Sequence, residues 1–239
     1  MNTPAIRRAL PWLALVLAAG VPRILGALFL PNLDRDANSY VEAIAELRAS
    51  MAAGAFSIRD MAGFWLPLYQ TFCAAASVPV NNPLYVAKVV SAICGTGTCL
   101  LVFLICRRLT GRNRLAYAAF ALIAFNPLHI MYSSFSMTEV PYALLVVGSL
   151  FFTIEDRILL AAIFAVLAGL MRVEAWMLVV LIPALPLLAG RKSSPASYIV
   201  LALGPLICFY VYWAATGNPF DYFHSRADYI RQLLVDQPE

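Results

Sequence analysis

The chain has 239 residues, of which 62% are hydrophobic and 13% are charged, and its formal net charge is +4. A water-soluble domain carries about a quarter charged residues, so this composition requires lipid as the solvent for most of the chain. The basic residues stand in small clusters beside apolar stretches, which orient a membrane protein, and they are not interleaved with aromatic residues as in single-strand binders. We predict an all-α polytopic protein of the lipid bilayer that binds no nucleic acid.

Seven apolar stretches approach the length of about 20 residues that a spanning helix needs. They are residues 11–31, 84–106, 115–131, 140–154, 158–170, 175–189 and 198–216. The first follows Arg7 and Arg8, is too long for the core of a signal peptide, and precedes no small-residue cleavage site. We interpret it as a retained helix whose N-terminus lies in the cytoplasm.

One further apolar segment, residues 64–80, decides the topology. If it crosses the membrane, the basic cluster at residues 107–114 lies outside, against the positive-inside rule. If it lies along the interface or re-enters, that cluster, Arg7/Arg8 and Arg191/Lys192 all lie inside. We adopt the second threading because it satisfies every basic cluster.

This threading gives a single transmembrane domain over residues 1–239 with about seven spans. Residues 31–83 form an extracytoplasmic loop, and residues 218–239 form an extracytoplasmic tail. Within the loop, apolar residues recur at helical spacing from Val41 to Met51, and Gly54 stands where a C-cap glycine belongs. We predict an amphipathic interfacial helix over residues 38–53, suited to the membrane surface, and a second one over residues 64–80.

The five cysteines all lie inside apolar stretches, and no two of them form a C-x-x-C pair. This placement disfavours zinc sites and disulfide frameworks. It is typical of small buried hydrophobic residues.

Asp34-Arg35-Asp36 follows the first predicted span directly. Asp36 stands where a helix N-cap belongs, and an aspartate accepts backbone N–H bonds well there. The functional alternative is a carboxylate that acts as a base at the membrane face. Asp34 and Asp36 could also hold a divalent cation such as Mg²⁺ or Mn²⁺ through oxygen ligands, although D-x-D alone is a weak signal.

Ser136-Met137-Thr138-Glu139 precedes another predicted span and matches the capping box, in which Ser and Glu bond each other's neighbouring N–H groups. The functional alternative makes Glu139 a second acid on the outer face, near Asp36. Both interpretations stay open at the level of sequence.

Arg172 and Glu174 are flanked by apolar residues on both sides, and ionisable groups in such a place are costly and often functional. They lie outside if residues 158–189 form two helices, and inside the membrane if they form one; the two-helix version keeps Arg191/Lys192 in the cytoplasm. One interpretation is a local interfacial pair with a snorkelling arginine. The other makes Arg172 a phosphate-binding cation that Glu174 orients.

His224 and Arg226 in the tail, and Lys88 at the outer end of the second span, are weaker candidates for contacting a phosphate. A lone histidine in a loop is usually solvated. G-x-S-x-G, H-E-x-x-H, P-loop and Rossmann fingerprints do not occur in the sequence, so hydrolase, zincin and nucleotide-binding functions have no residues to support them.

Taken in order, several short motifs resemble the GT-C fold glycosyltransferases, above all glycosyltransferase family 39 with its protein O-mannosyltransferases and lipid A aminoarabinose transferases. The motifs are Asp36-Ala37-Asn38-Ser39-Tyr40, then Leu66-Pro67-Leu68-Tyr69, Ala87-Lys88-Val89-Val90-Ser91-Ala92, Arg107-Arg108-Leu109-Thr110-Gly111, Asn126-Pro127, Met137-Thr138-Glu139 and Arg172-Val173-Glu174-Ala175-Trp176. Their order and spacing carry the resemblance, which covers nearly the whole chain.

The resemblance implies transfer of a sugar, with inversion, from a polyprenyl-phosphate donor to a protein, lipid or glycan acceptor at the extracytoplasmic face. Asp36 matches the family's general base, which takes the acceptor's hydroxyl proton. Arg172 and Lys88 are then expected beside the departing phosphate, with Glu139 as a second acid. Tyr40, Glu174, Asp34 and His224 are the remaining expected site residues.

The sequence departs from the family in two respects. Ala37 stands where many members have a second acidic residue, and the chain is much shorter than most members. A fragment of a longer protein, a minimal member and a relative without activity all stay open. A non-catalytic protein that binds or translocates lipid-linked sugars is the alternative function. The compact loops and the absence of N-x-S/T sequons favour a bacterial inner membrane over the endoplasmic reticulum.

Overall fold

A computed structural model describes residues 4–188 and 195–235 of the chain. Eleven α-helices make up most of this part, and two short 3-10 turns cover Ile58–Met61 and Val173–Met177. The helices are α1 (Pro4–Phe29), α2 (Arg35–Ala52), α3 (Pro67–Ser77), α4 (Pro83–Thr110), α5 (Asn113–Ala124), α6 (Pro127–Ser134), α7 (Glu139–Ile154), α8 (Ile158–Gly169), α9 (Leu178–Leu188), α10 (Pro195–Thr216) and α11 (Asp221–Val235). The predicted basic cluster Arg191/Lys192 lies outside the described residues.

Within residues 4–188 and 195–235, three helices are long and apolar enough to cross a membrane, and they lie within α1, α4 and α10. The helix pair α5–α6 passes the same test as a broken span, bent by 57°. α7, α8 and α9 are apolar but contain only 16, 12 and 11 residues. The chain is therefore an all-helical protein with membrane-spanning helices, and its seven-span threading stays a prediction.

The predicted single helix at residues 115–131 is wrong, because the structure breaks it between α5 and α6. The sequence Asn126-Pro127 explains the break, since the residue before a proline is disfavoured in the α conformation and proline lacks an N–H donor. Asn126 instead caps α6, and its side chain accepts the backbone N–H of His129 at 3.1 Å.

Arg23 satisfies the open end of α5. It lies inside α1 and is fully buried, and its guanidinium donates to the carbonyl oxygens of Ala19 at 2.7 Å and Ala124 at 3.1 Å. The same guanidinium lies 2.7 Å from Nδ1 of His129. A cation at the C-terminus of a helix also meets the negative end of its dipole. Gly95 of α4 makes room for this arrangement, because a side chain there would collide with Arg23 and Ser133.

Both ends of α4 contact the end of a neighbouring helix. Arg108 at the end of α4 forms an ion pair of 2.7 Å with Glu155 at the end of α7. At the opposite ends, Lys88 near the start of α4 donates to the carbonyl of Leu30 after α1. The ends predicted to share a side of the membrane therefore contact each other.

The segment predicted as an interfacial helix at residues 64–80 forms the shorter helix α3. Its first turn donates from the backbone of Leu68 to the carbonyl of Leu170 at the end of α8, at 3.0 Å. Its last residue, Ser77, accepts from Arg48 of α2 at 3.3 Å. With 11 residues, α3 is about 16 Å long, well short of the hydrocarbon core of about 30 Å. The segment lies beside α2 and does not run the length of the bundle.

The amphipathic helix predicted at residues 38–53 is α2, and Gly54 follows its C-cap with φ of 67°. Its apolar face is centred on Ile44 and Leu47, which pack against Tyr69 and Cys73 of α3. The face is therefore covered by protein and not by the membrane surface, contrary to the prediction. The five cysteines are free thiols, of which Cys73, Cys99 and Cys208 are buried.

Candidate functional site

Five of the predicted site residues line one cavity of about 280 Å³: Asp36, Tyr40, Glu139, Arg172 and Glu174. They come from the start of α2, the start of α7 and the turn between α8 and α9. These elements are distant in sequence, and the helix bundle brings them together.

Asp36 does not cap α2, contrary to the sequence expectation. The N-cap of this helix is Asp34. The carboxylate of Asp34 accepts the backbone N–H of Asp36 at 2.8 Å. Asp36 itself lies in the first turn, is exposed, and lines the cavity. Within the part of the chain that the structure describes, its carboxylate has no hydrogen-bond or ion-pair partner. The capping role therefore falls on one aspartate and leaves the other to face the cavity.

Glu139 does not form the capping box that the sequence allowed. Thr138 is the N-cap of α7 and makes no side-chain cap hydrogen bond. Oε1 of Glu139 instead accepts from Arg172 at 2.9 Å, while its Oε2 is buried and has no hydrogen-bond partner among the described residues. A buried acceptor without a partner costs free energy, so this oxygen is available to a ligand that brings a hydroxyl group.

Arg172 joins two carboxylates across the cavity. Besides its bond to Glu139, it donates to Oε1 of Glu174 at 3.0 Å and to Oε2 at 3.4 Å. Burial lowers the pKa of Arg172, but the hydrogen bond and charge of Glu174 and the charge of Glu139 outweigh it and raise the pKa. The same hydrogen bond lowers the pKa of Glu174.

The 3-10 turn at Val173–Met177 separates α8 from α9, which confirms the prediction that residues 158–189 form two helices.

Tyr40 forms part of an aromatic wall. Its ring packs on Trp65 with centroids 4.2 Å apart and on Tyr69 at 5.5 Å. Its hydroxyl lies 3.1 Å from Oγ1 of Thr138. Burial raises the pKa of Tyr40, so the phenol stays protonated and links α2 to α7.

Of the two tail residues predicted to contact a phosphate, Arg226 lines the cavity and His224 does not. Nδ1 of His224 lies 3.0 Å from the side-chain nitrogen of Asn218. The guanidinium of Arg226 stacks over the rings of Phe64 at 4.8 Å and Tyr222 at 5.1 Å. It forms no ion pair within the described residues, and its buried Nε has no hydrogen-bond partner there. Of the two arginines at the cavity, Arg226 is the one not already paired with a carboxylate.

Two further expected residues, Lys88 and Asp34, lie away from the cavity. Lys88 is 6% exposed and donates to a backbone carbonyl, and Asp34 caps α2. Among the described residues, no group of three or more His, Cys, Asp or Glu side chains is arranged to hold a metal ion. The structure therefore gives the pair Asp34/Asp36 no third protein ligand for Mg²⁺ or Mn²⁺.

Sequence reasoning named Arg226 but missed the other residues of α11 that line the cavity with it. Tyr222, Arg226, Tyr229 and Ile230 all line it. Successive members are four, three and one residues apart, which is the spacing of a single helical face. This spacing could have been recognised from the sequence. Trp65, in contrast, lies in an irregular segment before α3 where no periodicity marks it.

The cavity can bind a polar ligand that carries both hydroxyl groups and a negative charge. It holds three carboxylates, from Asp36, Glu139 and Glu174, beside the two guanidinium groups. In the part of the chain that the structure describes, the cation of Arg226 and the carboxylate of Asp36 have no ion-pair partner, and aromatic rings flank them. Such a set suits proton removal from a hydroxyl next to a leaving anion.

Comparison of the sequence with models of known protein families gives no match, and comparison with curated proteins gives none either.

Proposed function

We propose that the protein is a GT-C-like membrane glycosyltransferase of a bacterial inner membrane. It moves a sugar from a polyprenyl-phosphate donor to an acceptor hydroxyl at the extracytoplasmic face. The observation that carries the proposal is that Asp36, a carboxylate with no partner among the described residues, shares a cavity with Arg226, a cation with no ion-pair partner among them. A base and an anion-binding group in one cavity are the two elements that this reaction needs.

In the proposed reaction, Asp36 takes the proton from the acceptor hydroxyl as its oxygen attacks the anomeric carbon. The bond from that carbon to the phosphate oxygen breaks, and the polyprenyl phosphate leaves with both electrons. Arg226 binds the phosphate of the donor, and Arg172 stabilises the negative charge that develops on that phosphate as it leaves. Attack from the face opposite the leaving group inverts the anomeric configuration. Glu139 orients Arg172, and its free Oε2 accepts a hydroxyl of the sugar.

The alternative is a non-catalytic protein that binds or translocates lipid-linked sugars, and one observation limits donor binding in both functions. The cavity holds one more carboxylate than it holds guanidinium groups, and Arg172 is already paired with two of these carboxylates. An anionic phosphate therefore gains less from this cavity than from one with excess positive charge.

The test is sugar transfer by the purified chain in liposomes that contain a radiolabelled polyprenyl-phosphate hexose. The proposal predicts a labelled product of inverted anomeric configuration and release of polyprenyl phosphate. Donor binding without any release, measured over the same period, would support the alternative. Neither binding nor release would reject both.

A further inference from the structure

A second cavity, of about 430 Å³, shares the aromatic residues Phe64 and Trp65 with the first as lining residues. Its walls come from α2, from the segment around the 3-10 turn at Ile58–Met61 and from the start of α3. The two cavities are therefore neighbours.

The charges of the second cavity are of one sign. Glu46 and Asp60 line it, and its lining residues include no lysine, arginine or histidine. Asp60 is held in place by hydrogen bonds from the backbone N–H of Ser57 at 2.9 Å and from the hydroxyl of Ser50 at 3.0 Å. These bonds lower the pKa of Asp60, so this carboxylate stays ionised. The first cavity differs, because two guanidinium groups line it.

A third residue of this cavity, Gln70, indicates a ligand independently of the acidic pair. Its side chain is only 4% exposed, and its Oε1 has no hydrogen-bond partner among the described residues. A carboxamide in this position costs free energy unless it is satisfied. A ligand with hydroxyl groups in the cavity would supply the missing hydrogen bond.

We propose that the second cavity is the acceptor subsite and that it selects a hydroxyl-bearing primary amine in its protonated form. Glu46 and Asp60 attract the ammonium group, Gln70 bonds a hydroxyl, and the ring of Trp65 packs against the carbon skeleton. The acceptor role rests on the proposed function, since it places the attacking hydroxyl next to the cavity of Asp36. The preference for an amine rests on the second cavity alone.

The test compares the binding of glucosamine and glucose to the full chain in detergent, by isothermal titration calorimetry near about pH 6 and without donor lipid. The two sugars differ at one substituent, an ammonium group against a hydroxyl. We expect glucosamine to bind about tenfold more tightly, since two carboxylates face it. Equal affinities, or no binding of either sugar, would overturn the inference.

Variants locate the preference. Glu46→Gln lowers the affinity for glucosamine about threefold to tenfold and leaves that for glucose unchanged. Gln70→Leu weakens the binding of both sugars alike. The matched control is Glu42→Gln, because Glu42 is exposed on the same helix and lines neither cavity. A loss in this control equal to that in Glu46→Gln would show a general effect of surface charge and overturn the assignment.

The outcome is separable from that of the proposed function, because no donor is present. Transfer without any preference for the amine rejects only the subsite. Amine-selective binding in a chain that transfers no sugar supports the ligand class and rejects the acceptor role together with the proposed function.

Discussion

Arg23 and Arg172 lie in two regions of the molecule that accommodate a positive charge in different ways. Arg23 is fully buried inside a membrane helix, and its partners are backbone carbonyls and a histidine. The side chain of Arg172 is 34% exposed, lies in a turn between two helices, and pairs with two carboxylates at a cavity. Both residues interrupt apolar stretches, yet only the second can be reached by a ligand.

The comparison teaches that an arginine in an apolar stretch has no single meaning. A buried ionisable group in a membrane is a functional hypothesis by default, but the partners decide. Arg23 supplies donors to the carbonyls that the break between α5 and α6 leaves open, so its role is in folding. Arg172 bridges two carboxylates beside open space, and the role that we propose for it is in binding and catalysis.

Among the variants that test this comparison, the largest effect is expected for Arg172→Gln. We expect kcat/KM for sugar transfer to fall about 100-fold to 1000-fold, because the leaving phosphate then meets Glu139 and Glu174 without the cation between them. The free energy of unfolding should change by less than about 1 kcal/mol, since the ion pairs are partly exposed. Transfer and thermal unfolding are measured on the same purified samples.

Arg172→Lys is the matched control, because it keeps the charge and loses the planar fork that bonds both carboxylates. We expect an intermediate rate. A normal rate in Arg172→Gln would contradict the contrast with Arg23, since Arg172 would then be an interfacial anchor only.

Arg23→Met should show the opposite pattern. It leaves the carbonyls of Ala124 and Ile123 without their donor, so we expect a loss of about 2–4 kcal/mol in stability. Transfer per folded molecule should stay unchanged. The folded fraction is followed by size-exclusion chromatography after heating, and a stable Arg23→Met chain that transfers no sugar would place Arg23 among the functional residues.

A smaller effect is expected for Arg226→Gln. It should raise KM for the polyprenyl-phosphate sugar about tenfold and change kcat little, because Arg226 contributes a single charge-assisted contact to the phosphate. Arg231→Gln is the control on the same helix, since Arg231 is exposed and pairs with Asp228 at 3.2 Å. Equal KM values for the two variants would remove Arg226 from the site.

The smallest effect is a pH dependence from Glu174. Its hydrogen bond to Arg172 lowers its pKa below the ordinary value of 4.5, so the pair contributes stability above that value and loses it as the pH falls through the lowered pKa. Because Glu174 is 55% exposed, the loss should be under about 0.5 kcal/mol. Unfolding midpoints of the wild-type chain and Glu174→Gln, followed from about pH 6 to pH 3.5, should converge on the acid side. A constant difference would contradict this.

Much of the architecture was open to prediction from composition and periodicity. The helical class, α2 with its glycine terminator, and the separation of α8 from α9 follow from local patterns. The break at Asn126-Pro127 was missed because the apolar stretch continues through it. A span predicted from apolar composition alone does not show where the backbone leaves the helix. The partner of that break, Arg23, is 100 residues or more away in sequence from the carbonyls of α5 that it bonds, so local pattern reasoning could not link them.

The candidate site was likewise predicted in part: its charged residues were identified from the sequence, and their contacts were not. Asp36, Glu139 and Arg172 were found because charged residues are conspicuous in an apolar chain. Their partners could not be found, because capping is decided by backbone geometry: Asp34 and Asp36 are equally good caps in sequence, and only the start of α2 selects Asp34.

The central claim is that Asp36 acts as the general base, and the pair Asp36→Asn and Asp34→Asn tests it most directly. Each variant removes one carboxylate from the same turn, and asparagine keeps the cap of α2 when it replaces Asp34. We predict that transfer from a labelled polyprenyl-phosphate hexose falls about 100-fold to 10,000-fold in Asp36→Asn and stays near the wild-type rate in Asp34→Asn. Full transfer by Asp36→Asn, or an equal loss in both variants, would contradict the account.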